Sequence, residues 1–79
     1  MKHLIPLQSL RVGEPAHIRQ IVGQPELVHR LRELGFHDGA QVELIQNGAP
    51  CLVRLDGQKI GLRADDLISV LVHPTGSTS

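Results

Sequence analysis

The sequence predicts a mainly β domain with one α-helix, folded as a small barrel of about five short strands. Three observations predict it. Short runs of alternating apolar and polar residues are separated by turn residues throughout the chain. One segment, Pro25–Leu34, keeps the helical period instead. Five strands in so few residues cannot build a sandwich of two full sheets, whereas closing or nearly closing on themselves hides their edges.

The 79 residues make one domain, expected to run from residue 7 to 72 after a loose lead-in at 1–6 and before a disordered polar tail at 73–79. A chain of this size buries only roughly 60% of its unfolded surface. With no Trp, no Tyr and the single Phe36, its core must come from Leu, Val, Ile and Ala. Pro6–Leu10 can make one turn that lays Leu7 and Leu10 on that core. Gly13 then introduces a first strand, Pro15–Ile21, with Ala16 and Ile18 on one face and His17 and Arg19 on the other. Ile21 breaks the alternation, which places a bulge or strand end near Gln20.

The helix is inserted after this first strand. Pro25 suits the first helical position, where a missing N–H does no harm, and Glu26 meets the positive end of the helix dipole. Leu27, Leu31 and Leu34 fall on one stripe, His29, Arg32 and Glu33 face away, and Arg30 flanks the stripe within reach of Glu26. Gly35 fits the left-handed position that ends a helix, with Phe36 folding back on the last turn. A β-branched residue at Gly35 is expected to cost about 1–2 kcal/mol from the backbone alone. Asp38-Gly39 turns the chain into the strand Ala40–Gln46, and Asn47–Pro50 is the next loop. Cys51–Leu55 and Gln58–Leu62 flank Asp56-Gly57, the pair favoured in two-residue type I′ hairpins, so Val53 faces Ile60 and Cys51 faces Leu62. Arg63–Asp66 reads as one 3₁₀-like turn before a last strand, Leu67–Val72. Gly35, Gly39, Asp56 and Gly57 are thus structural turn positions.

Several function classes lose support. Eight basic side chains balance eight acidic ones, which removes the long-range field that draws proteins to phosphates. The stacking aromatics of a nucleic-acid-binding sheet are missing, although Arg19, Arg54 and Lys59 could form a local basic strip. No nucleic-acid partner is expected. No run approaches the roughly 20 apolar residues of a spanning helix, and no signal peptide is visible. Cys51, alone, forms no internal disulfide, which points to a reducing, cytoplasmic setting. No serine lies in a nucleophile elbow and no phosphate-binding loop occurs, so neither catalytic residues nor a cofactor are expected. The histidines His3, His17, His29, His37 and His73 lack metal-ligand spacing and are read as solvated, with His29 and Glu33 at most a two-ligand surface clip. Protein binding remains. The expected docking face is the outer side of the helix and the turn after it, Arg30, Arg32, Glu33, Phe36 and His37, with Leu31 and Leu34 behind it in the core. An exposed strand edge leaves room for a weak homo-oligomer.

The ordered set of features, Leu10-Arg11-Val12-Gly13-Glu14, Ile18–Ile21, Arg30–Phe36, Gly39–Val42, Pro50, Leu52–Leu55, Ile60–Arg63 and Ile68–Val70, resembles the FeoA family over roughly residues 7 to 72. The resemblance implies an SH3-like barrel. It also implies a cytoplasmic accessory protein of ferrous iron uptake, acting on the cytoplasmic GTP-binding region of the membrane transporter FeoB at the inner face of the membrane. The same module is similar to the C-terminal domain of iron-dependent repressors. The alternative it offers is therefore a nucleic-acid-binding or metal-responsive regulatory module.

Overall fold

The computed structural model describes residues 3–48 and 50–75, with the backbone alone at residues 64 and 68. Six strands form one antiparallel sheet: β1 (Ile5–Pro6), β2 (Pro15–Ile21), β3 (Gln41–Gln46), β4 (Cys51–Leu55), β5 (Gln58–Leu62) and β6 (Val70–Pro74). The spatial order is β1-β6-β2-β3-β4-β5. Helix α1 (Pro25–Glu33) joins β2 to β3, and a short helix α2 (Ala64–Ser69) joins β5 to β6.

Side chains from both ends of this sheet share one core, from Leu7, just after β1, to Leu62 in β5. The sheet therefore wraps around a common interior, as a small barrel must. That interior is aliphatic, with Ala16, Ile18, Leu31, Val42, Leu44, Val53, Val70 and Val72 fully enclosed around the one aromatic ring, Phe36. Cys51 lies in the same core, its thiol directed at the Gly48 carbonyl 3.1 Å away.

The local signals explain the elements. In β2, Ala16 and Ile18 point inward and the register with β6 shifts between Ile18 and Gln20. Pro25 opens α1 at its first position. The β4–β5 hairpin pairs Cys51 with Leu62 and Val53 with Ile60, around a turn in which Asp56 has φ +49° and Gly57 +90°. Two successive positive φ values are what a type I′ turn requires. Asp56 also accepts a hydrogen bond from the Gln41 N–H at 3.2 Å, tying the turn to β3.

Four expectations change. Ile5 and Pro6, placed in the lead-in, pair with Val72 and Leu71 of β6. The sequence after Arg63 makes a full helical segment rather than one tight turn, so the last strand starts at Val70 and not at Leu67. It runs on through His73 and Pro74, where the tail was expected, while residues 76–79 lie outside the described residues. Leu34 is 44% exposed although it belongs to the apolar stripe of α1. The helix ends at Glu33, and beyond the reversal at Gly35 it is Phe36, at 0% exposure, that enters the core in place of Leu34.

Candidate functional site

The end of α1 is built by backbone hydrogen bonds. The Phe36 N–H reaches the Leu31 carbonyl at 3.0 Å and the Gly35 N–H reaches the Arg32 carbonyl at 3.0 Å. This double closure is the Schellman arrangement, and it needs a left-handed residue between helix and strand. Gly35, at φ +110°, supplies it. The apolar partner of the cap is Phe36, whose exposure is 0%. Phe36 thus belongs to the core and is removed from the docking face on which the sequence placed it.

Arg30 also changes role. The sequence offered it Glu26 as a partner one turn away. Its guanidinium instead donates to the Asp66 carboxylate of α2 at 2.9 Å. The two ends differ: the Arg30 side chain is 59% exposed and that of Asp66 11%. Arg30 is therefore a strut between the two helices. The pair is asymmetric, because a buried carboxylate stripped of its partner loses more than an exposed guanidinium does. Arg30→Ala is expected to cost about 1–2 kcal/mol and Asp66→Ala, which leaves Arg30 in water, no more than about 1 kcal/mol. Urea denaturation of the two variants checks the order.

The remaining candidates sit where expected. Arg32, Glu33 and His37 are exposed on the far side of α1 and the turn after it. Glu33 pairs with His29 at 3.1 Å in an exposed contact. The His37 ring lies 3.2 Å from the Asp38 carbonyl, and the Asp38 carboxylate holds Arg19 at 3.3 Å. Among the described residues Arg32 has no ion-pair partner. Leu34 stands between it and His37, and so joins the face the sequence had placed it behind. The face is therefore Arg32, Glu33, Leu34 and His37: a free cation, a carboxylate, an imidazole and an apolar side chain. Nothing in the helical period could have shown Leu34 exposed, because the cap geometry decides it. Asp66 was visible in the sequence only as the polar start of a turn.

Among the described residues no three His, Cys, Asp or Glu side chains gather as a metal-holding group, and no helix is long and apolar enough to cross a membrane.

A family model described as the FeoA domain matches residues 5–74. The chain belongs to the FeoA family. Solved structures of that family share the fold. A FeoA protein from Chlorobium tepidum superposes with a TM-score of 0.86 at 23% identity, over 95% of this chain and 74% of the other. A zinc-complexed FeoA from Stenotrophomonas maltophilia, described as an SH3 domain protein, gives 0.76 at 27% identity, over 86% and 88%. A manganese-dependent transcriptional repressor contains the same fold, with a TM-score of 0.86 at 13% identity. There the match covers 95% of this chain but only 44% of the repressor. No curated protein matches the chain. The strands β1 and β6 explain why the FeoA domain extends beyond residues 7 to 72: Ile5–Pro6 and His73–Pro74 are part of the sheet.

Proposed function

We propose that this chain is a non-enzymatic accessory protein of ferrous iron uptake, working in the cytoplasm by contact with the cytoplasmic GTPase region of the membrane transporter FeoB. The observation that carries the reading is membership of the FeoA family across nearly the whole chain. The Stenotrophomonas maltophilia relative, described as a candidate activating factor of bacterial ferrous iron transport, supports the same role. The surface chemistry agrees with a docking role. The charged groups at the helix end are exposed and mixed in sign, with Leu34 set among them as an apolar anchor. Buried carboxylate chemistry is accounted for by structure, since Asp66 is held by Arg30.

The contact face in this reading is Arg32, Glu33, Leu34 and His37. Arg30 contributes by holding α1 on α2. The likeness to the repressor concerns the fold alone. The outer sheet face does not strengthen a nucleic-acid role, since Arg54 lies opposite Lys59 but is directed to Glu43 at 3.5 Å and Arg19 is held by Asp38 at 3.3 Å, so two of the three cations of that basic strip are paired.

Affinity purification of the chain from membranes of cells grown at low iron tests the class of partner. Recovery of FeoB with the chain is the expected result. Recovery of nucleic acid in its place would overturn the reading.

A further inference from the structure

His17 and His73 are far apart in sequence, and the spacing rules for metal ligands along a helix or a loop do not apply to them. The fold makes them direct cross-strand partners in the β2–β6 pair. Their neighbours Ala16, Ile18 and Val72 point into the core, so both histidines stand on the outer face of the sheet. Side chains directly opposite in an antiparallel pair have Cβ atoms about 4.5–5.5 Å apart. Two imidazoles rooted at that separation can close on one ion at nitrogen–metal distances of about 2.0–2.1 Å.

Two further features of the same place favour a ligand. The two rings border an open groove completed by Arg19, Asp38 and Gly39. Gly39 leaves its side of the groove empty, with no atom within 4 Å of where a Cβ would stand. The only cationic side chain there, Arg19, is already neutralised by Asp38 at 3.3 Å. Then there is Nδ1 of His73. It is closed off from solvent and has no hydrogen-bond partner, the one such side-chain atom among the described residues. A buried polar atom without a partner in a folded protein calls for an explanation, and an ion at the site is one of the few available.

We infer that His17 and His73 form a two-imidazole chelate for a divalent transition-metal ion of borderline softness, such as zinc, bridging β2 to the C-terminal strand. Neutral imidazole is the ligand type that zinc, copper and nickel share. The protein supplies two coordination positions, and water fills the rest, since the Asp38 carboxylate in the groove is held by Arg19 and no three potential ligands gather among the described residues. Nδ1 is closed off from solvent where the His73 ring stands, so binding turns the ring to bring that nitrogen to the ion and gives it the partner it lacks. The ion also pins β6 to β2 at the end of β6, where Pro74 pairs with Ala16. The groove adjoins the His37 end of the proposed docking face through Asp38, but the chelate does not rest on the proposed function.

Calorimetric titration of zinc chloride into the purified full chain tests this, with histidine ring signals followed by NMR. One zinc ion per chain is expected, with shifts confined to the rings of His17 and His73. His17→Gln and His73→Gln should each weaken binding by about a hundredfold, because either change abolishes the chelate. His17→Gln is the decisive variant, since it leaves the half-buried His73 in place. A double variant, His3→Gln with His29→Gln, should bind as the parent does, and zinc should raise the melting temperature of the parent but not of His17→Gln. Parent-like binding by His17→Gln, shifts centred on other histidines, or no zinc binding by the parent at micromolar concentrations would each overturn the assignment.

Discussion

Truncating Phe36 to alanine should cost about 3–5 kcal/mol. Its ring is the largest fully buried side chain among the described residues and belongs to the single Phe of a chain without Trp or Tyr, and it sits at 0% exposure just after the end of α1. Two losses combine at one residue: the ring leaves a cavity in an aliphatic core, and the helix cap loses its apolar partner. Domains hold about 0.05–0.15 kcal/mol of stability per residue, which for a chain of this length is only about 4–12 kcal/mol. Phe36→Ala therefore removes a large share of the margin, and urea denaturation should show the midpoint falling steeply or the folded baseline vanishing. His37→Ala, one residue further and exposed, should stay within about 0.5 kcal/mol of the parent. If the two variants were equally mild, Phe36 would not be the keystone of the core.

Gly35→Val is the second large effect, at roughly 2–4 kcal/mol. The left-handed backbone at φ +110° strains any residue with a Cβ. A Cβ there would also stand 3.1 Å from Cδ2 of Leu55, a buried side chain of β4 with little room to yield. Gly39 separates the two causes. Its φ is +91°, yet its Cβ position is open, so Gly39→Val should show the backbone cost of about 1–2 kcal/mol without the packing cost. Thermal denaturation of both variants gives the comparison. Equal losses would mean that Leu55 moves aside freely.

Much of the fold was legible because its signals are local. The pair Asp56-Gly57 admits one common hairpin geometry, and that geometry dictated the register of β4 against β5 residue by residue. Pro25 and Gly35 marked both ends of α1 by their backbone preferences. The bulge near Gln20 followed from Ile21 breaking the alternation of β2. What could not be read lies in contacts between distant residues. Arg30 had a plausible partner in Glu26 one turn away, and nothing in the sequence ranked Asp66, 36 residues on, above it. Leu34 shares the apolar stripe, yet the helix ends one residue before it and Phe36 is the side chain that is buried there. The helix α2 is too short to display a period. Ile5–Pro6 form so brief a strand that no alternation exists to detect. The pairing of His17 with His73 depends on β6 lying beside β2, a neighbour relation that topology alone decides.

The proposed docking face is affected in the same way. Arg32, Glu33 and His37 were identifiable as outward-facing from the helical period and the turn after it. Phe36 was assigned both to the cap and to the surface, and the cap took it. Arg30 was placed on the docking face and is instead a strut, so reversing its charge would disturb the relation of α1 to α2 as well as any partner. A clean test must leave Arg30 and Phe36 untouched.

The most direct measurement is a binding titration of the purified chain against the isolated cytoplasmic GTPase region of FeoB, with the parent and an Arg32→Glu, Leu34→Asp double variant side by side. Saturable binding by the parent is predicted, with the double variant weakened about tenfold or more, as expected when an apolar anchor and its neighbouring charge are lost from a contact. Its melting temperature should stay within a few degrees of the parent's, because both side chains already face water. Equal affinities for the two proteins, or no binding by the parent at all, would contradict the account.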